Sequence, residues 1–200
     1  MTSPAEVLDE MLAALTPEVA AALRTTIPVD VRDQVDAASA EISQSVGRLG
    51  AHLGAEPIGL PAWAALPAWL RLDVTSTLVS FAAGTGSTCM HAPHLGRAEP
   101  LHAAVWKPGL VTCMSCSHLL EVHGPAAHTC DACGRVCPPT HEDGVRLVAL
   151  AVGPVLFVTG CCSDCVPVAV GLRDEETTGQ PDPTTARRRQ RRRSPRRTPR

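Results

Sequence analysis

Apolar positions recur at helical spacing through the first 85 residues, and that rhythm is lost in the second half of the chain. Ser3-Pro4-Ala5-Glu6 has the form of a capping box with proline at the first helical position, and Val7, Leu8, Met11, Leu12 and Leu15 then fall on one helix face. Thr16-Pro17-Glu18 restarts the pattern and predicts a short helix through Leu23. Val31, Val35, Ala38, Ile42, Val46, Leu49 and Leu53 follow at steps of four and three. They predict one stripe on a helix of about six turns, with Arg32, Asp33, Asp36, Glu41 and Gln44 off it and Pro57 and Pro61 closing it. A further helix is predicted from Pro67, burying Trp69, Leu70, Val74, Leu78 and Phe81, until Gly84-Thr85-Gly86-Ser87 breaks it. These stripes read as the core of a helical bundle; alternatively, the six-turn stripe pairs with its own copy in a homodimer. Leu60 to Leu70, with Trp63 and Trp69 among prolines, reads as packed tryptophan or as a segment for a protein partner.

From Cys89 to about Val170 the texture is Cys, His, Pro and Gly with short β-like runs. Val145 to Leu150 and Val155 to Thr159, joined at Gly153-Pro154, predict a β-hairpin. Gly171 to Ala186 has no packing pattern and reads as a polar linker, and the arginine-rich Arg187 to Arg200 reads as a disordered tail. The expected fold class is therefore α+β. A helical domain (1–85) precedes a small zinc-binding module with a β-hairpin (86–170), then the linker (171–186) and the tail (187–200).

Composition changes this picture in one respect. The chain has 200 residues, 44% of them hydrophobic, but no Tyr, two Phe and three Trp, so its core must come from Ala, Val and Leu, which bury less area per residue. Metal ions offset such a shortfall. Glu6, Asp9 and Glu10 stand where a secretory leader would be basic and then apolar. Nine cysteines are accordingly expected to be reduced and metal-bound in the cytoplasm. No run reaches the roughly 18 apolar residues of a membrane span, so no membrane partner is expected.

The cysteines supply the chemistry. Cys113/Cys116, Cys130/Cys133 and Cys162/Cys165 are Cys-x-x-Cys pairs, and Cys89-Met-His91 is a fourth half-site. Two thiolates on one tight turn can face one tetrahedral ion, so four half-sites make two sites for Zn2+. Cys130-Asp-Ala-Cys133-Gly134 resembles the knuckles of zinc-ribbon proteins, where the glycine permits the turn that aims backbone N–H groups at sulfur. The resemblance covers about residues 130 to 165. It implies Cys162-Ser-Asp-Cys165 as the mate, since ribbons separate their two knuckles by strands. Cys113 and Cys116 would then join Cys89 and His91, with His94 as a substitute for His91. Two other arrangements remain open. Cys113/Cys116 can join Cys130/Cys133, leaving Cys162/Cys165 to pair among Cys137, Cys161 and His141, or the first and third pairs can cross-brace.

A site with four protein ligands stabilises a fold and has no open position to activate water. The sequence carries no nucleophile elbow, P-loop, dinucleotide fingerprint or His-Glu-x-x-His motif. His52, His118, His123 and His128 read as surface residues, and Cys137 and Cys161 as small buried hydrophobes or as a thiol redox pair. The formal charge of −2 conceals an asymmetry: nine of the eighteen basic residues lie in 187–200, leaving nine against twenty acids, a net of −11. The tail arginines, Arg187, Arg188, Arg189, Arg191, Arg192, Arg193, Arg196, Arg197 and Arg200, present bidentate donors to phosphates. They suit nucleic acid or the acidic body itself, and without interleaved aromatics they do not predict base stacking. Together these features predict a non-enzymatic zinc-binding adaptor or regulator with a protein partner and a nucleic-acid-attracting tail. The rival readings are a protein-interaction module without nucleic acid, and a zinc-thiol redox sensor.

Overall fold

A computed structural model describes residues 3–53, 63–94, 97–140 and 143–172. Pro57, Pro61, His141, most of the linker and the arginine tail lie outside these residues, as do the side chains of Leu49 and Leu53. An N-terminal helical region is followed by a mixed five-stranded sheet.

Helix α1 spans Pro4–Ala13 and starts at the predicted capping box: the Ser3 hydroxyl accepts from the Glu6 N–H while the Glu6 side chain accepts from the Ser3 N–H. Thr16 caps α2 (Pro17–Thr25) from one side only, its hydroxyl accepting from the Val19 N–H. Helix α3 runs from Val29 to Leu53, and α4 covers Ala68–Ala82. Among the described side chains of the α3 stripe only Ala38 and Ile42 are buried, with Val31, Val35 and Val46 partly covered. The expected face of α1 is likewise half used: Leu8 and Leu12 are partly covered, whereas Val7, Met11 and Leu15 face solvent. Asp9, off that apolar set, is the buried residue of α1. Its carboxylate accepts from the Arg71 guanidinium at 3.1 Å and from the Trp63 indole at 3.0 Å, which docks α1 on α4.

The sheet has the order β1-β3-β2-β5-β4, with β1 at Ser87–Thr88, β2 at Leu101–Ala104, β3 at Leu110–Cys113, β4 at Arg146–Val152 and β5 at Val155–Cys161. The predicted hairpin is β4 and β5, paired antiparallel from Arg146↔Cys161 to Val152↔Val155 around Gly153, whose φ of 55° suits glycine. Strand β2 runs parallel to β5, placing Leu101 beside Val155 and Ala103 beside Phe157. Period-two alternation sends these four side chains to one face, where they share a core with Leu66, Leu70, Val74 and Phe81 of the α4 region. One hydrophobic core thus runs across residue 85, from helix to sheet. Parts of the opposite sheet face are covered by Met114–Leu120 and Gly124–His128, two 3-10 segments that form a strap. Trp106 donates to the Leu120 carbonyl at 2.7 Å, and the Lys107 ammonium to that of Leu119.

Candidate metal centres

Each end of the strap meets a cluster of sulfur atoms. At its start, β3 ends at Cys113 and the first 3-10 turn carries Cys116, while the loop after β1 brings in Cys89 and His91. Beyond its end, Cys130 and Cys133 lie on a knuckle that meets Cys162 and Cys165, which follow β5. Within each group of four, every ligand atom lies within 4.8 Å of every other.

The spacings suit a tetrahedral ion. With sulfur 2.3 Å from zinc, tetrahedral geometry sets neighbouring sulfurs about 3.8 Å apart. Cys89 and Cys113 are separated by 3.8 Å, and Cys133 and Cys162 by 3.9 Å. The His91 Nδ1 is 3.4 Å from the Cys113 sulfur and 3.3 Å from that of Cys116, close to the shorter nitrogen–sulfur edge of such a site. A disulfide would need about 2.05 Å, and all nine cysteines are free.

Local backbone explains why the thiols converge. At the second centre Gly134 has φ 72°, which closes the knuckle so that its N–H reaches the Cys130 carbonyl at 2.8 Å. The Cys162 N–H then points at the Cys130 sulfur at 3.3 Å. At the first, the Cys113 N–H points at the Cys89 sulfur at 3.5 Å. Such donors favour thiolate.

Electrostatics makes the same case for a cation. The side chain of Cys161 is hydrogen-bonded to Cys130, and despite opposition from burial this and nearby N–H groups bring the Cys130 thiol down to about 4. Burial also opposes ionisation of Cys89, but bonds from Cys113 and His91 prevail and bring it to about 7. Their neighbours move the other way: burial and the adjacent thiolates push Cys116 and Cys133 up to about 11, and Cys165 higher still. Without a cation each centre readily holds one thiolate and resists the rest, because like charges crowd. A divalent ion removes that conflict, so both groups fit a metal.

Several flanking residues were absent from the sequence reading. Arg135 donates to the Cys162 sulfur at 3.0 Å and to the Asp164 carboxylate at 2.6 Å. Asp131 accepts from the Gly160 N–H at 2.6 Å and the Thr159 hydroxyl at 3.1 Å, and burial raises its carboxyl to about 6. Arginine two residues after a knuckle cysteine is a signal the sequence did contain. Cys137 and Cys161 are buried beside the second centre. Burial raises Cys137; the hydrogen bond to Cys130 and burial raise Cys161 strongly, which keeps it a thiol that donates to its neighbour. Of the other histidines, His52, His118 and His123 are exposed and His128 is partly covered.

The structure brings Cys89, His91, Cys113 and Cys116 together, and separately Cys130, Cys133, Cys162 and Cys165. It does not join Cys113/Cys116 to Cys130/Cys133, nor cross-brace the first and third pairs. Both centres could hold metal ions, and no helix among the described residues is long and apolar enough to cross a membrane. Compared with known proteins, the chain matches no family model, no curated protein and no solved structure at a significant level, so its function has to be read from this chemistry.

Proposed function

We propose that this chain is a non-enzymatic, zinc-binding adaptor or regulator of the cytoplasm, in which two Zn2+ ions are structural and Arg187–Arg200 adds attraction to nucleic acid. The observation that carries the reading is the pair of four-ligand groups whose sulfur–sulfur edges, 3.8 and 3.9 Å, suit tetrahedral zinc. Thiolate-rich donor sets favour zinc over magnesium or calcium, which take oxygen. Cys89, His91, Cys113 and Cys116 would hold one ion, and Cys130, Cys133, Cys162 and Cys165 the other. With every position filled by protein, neither ion has a site for substrate, which supports a scaffold in place of a hydrolase.

The tail enters through charge. Nine arginines without an acid form a cationic segment that presents bidentate donors to phosphate, which supports nucleic acid as its partner. Native mass spectrometry of the untagged protein, purified under reducing conditions, tests the metal half: two zinc ions per chain are expected, and one or none overturns it. Binding of the full chain and of a 187–200 deletion to duplex DNA and RNA tests the other half. The deletion should lower the slope of log affinity against log salt by about 0.9 for each DNA phosphate that the tail neutralises in the full chain. Unchanged binding would leave the protein-only adaptor in its place. The redox-sensor alternative draws less support, because Cys137 and Cys161 are buried and held as thiols, the poorly nucleophilic form.

A further inference from the structure

Between the strap and the sheet lies a cavity of about 560 Å3, inside the roughly 300–1,000 Å3 range of small-molecule sites. Its floor is the sheet face opposite the Leu70 core. His102 and Ala104 alternate there with Leu101 and Ala103 along β2, and Val158 and Gly160 stand beside them on β5. Its roof includes Gly124–His128, a segment with no buried residue, which supplies only the methyl groups of Ala126 and Ala127. Small side chains above and below keep the space open.

Gly160 marks where the cavity is most specific. Glycine inside a strand weakens it and goes with close approach by another group. A β-carbon there would sit 2.7 Å from the Val145 Cγ1, 3.6 Å from the Asp131 Oδ2 and 4.0 Å from the Trp106 Cζ3. A carboxylate and an indole ring thus converge on one point of the wall. Trp106 spends its N–H on the Leu120 carbonyl, so it offers the cavity only its ring.

The remaining polar lining narrows the chemistry. Glu121 adds a second carboxylate at the exposed mouth, and no lysine or arginine is among the described residues of the wall. His102 makes no hydrogen bond among the described residues, and burial favours its neutral form, which has one donor and one acceptor to give. An anion would meet two carboxylates and no cation, while a wholly apolar molecule would strip the carboxylates of water without replacing it. A positive charge satisfies both the carboxylate and the ring. The net charge of −11 on residues 1–186 draws cations to this body as well.

We propose that the cavity binds a small organic cation with an apolar body, such as an arylalkylamine in its ammonium form. Its charge lies between Asp131 and the Trp106 ring, its body rests on Ala104 and Val158 under the strap, and His102 meets a polar group on that body. The proposal goes beyond the adaptor reading and depends on neither the metal ions nor the tail.

Isothermal titration calorimetry of the reduced, full-length protein at about pH 7.5 provides the test. The probe is 2-(1-naphthyl)ethylammonium, compared with 2-(1-naphthyl)ethanol, 3-(1-naphthyl)propanoate and methylammonium. The first should saturate at one per chain, and the neutral, anionic and bodiless probes should each bind about tenfold more weakly or worse. Asp131→Asn keeps an acceptor for the Gly160 N–H and should weaken the naphthyl cation by about tenfold. Ala127→Phe fills the space from the roof and should abolish binding without lowering the melting temperature. No binding of the naphthyl cation, or equal binding of the alcohol, overturns the proposal. Wild-type affinity in either variant also overturns it by placing the site elsewhere; should Asp131→Asn fail to fold, the probe series and Ala127→Phe decide alone.

Discussion

Leu70→Ala tests whether helix and sheet share one core. Leu70 is 1% exposed on α4 and belongs to the cluster that includes Val74 and Phe81 on its own helix and Leu101, Ala103, Val155 and Phe157 on the sheet. Removing three carbons from a site enclosed on both sides forfeits their transfer energy and leaves a cavity that rigid strands cannot fill, a cost of about 3 kcal/mol within the usual 2–5. For a domain with net stability of roughly 5–15 kcal/mol this is large. It should lower the melting temperature by about 10 °C in a chain of this size. The informative assay is native-state hydrogen exchange resolved by peptide. If α4 closes the sheet, the slowest amides of α4 and of β5 should lose the same protection, on the order of a hundredfold. Faster exchange in α4 with β5 unchanged would refute the reasoning: the sheet and its metal centres would then be holding themselves without the helix.

Three further outcomes follow from other interactions. Arg135→Met removes the donor to the Cys162 sulfur, and loss of such outer partners typically weakens metal binding 10- to 100-fold. Because Arg135 is 53% exposed, about tenfold is expected, read by chelator competition at the second centre, with the first centre as an unaffected internal control. Asp9→Ala leaves the Trp63 indole and the Arg71 Nε without their acceptor while Arg71 keeps its bond to the Leu66 carbonyl, which should cost about 2 kcal/mol in urea unfolding, below the value for a fully buried pair because Arg71 is 20% exposed; no change would mean that α1 is not docked through this carboxylate. His102 is half-buried on β2, and burial lowers its pKa from 6.5, so the unfolded chain takes up the proton more readily. Its stability contribution is therefore present above pH 6.5 and is lost as pH falls below it. Measured from pH 8 to 5, the stability of wild type relative to His102→Gln should decline on the acid side, and a flat difference would count against the assigned burial.

How much of this was legible in sequence varied with how local the cause was. The capping box at Ser3, the break at Gly84 and the hairpin around Gly153 depend on neighbours a few residues away, and each stands where the pattern places it. The two sulfur clusters were legible because tight turns present thiols in pairs, and a strand hairpin between two knuckles suggests which pairs meet. What the pattern could not display was non-local. Strands β2 and β3 are four residues each, too short for a period to emerge, and the parallel pairing of β2 with β5 joins segments some fifty residues apart. Asp9 looks like any surface acid until Arg71 and Trp63 close over it. The α3 stripe shows the converse, since regular spacing states which face is apolar and not what covers it; among its described side chains only Ala38 and Ile42 are buried.

The ligand sets follow one another along the chain: Cys116 completes the first before Cys130 opens the second, and most of the strap lies between them. A chain leaving the ribosome N-terminus first therefore exposes one full set of donors while the thiols that could compete for the same ion have yet to emerge. Interleaved half-sites would keep the early cysteines waiting, open to oxidation or to a wrong partner. Were both sets to take metal, serial order would make loading a matter of timing, with the strap as the interval between the two events.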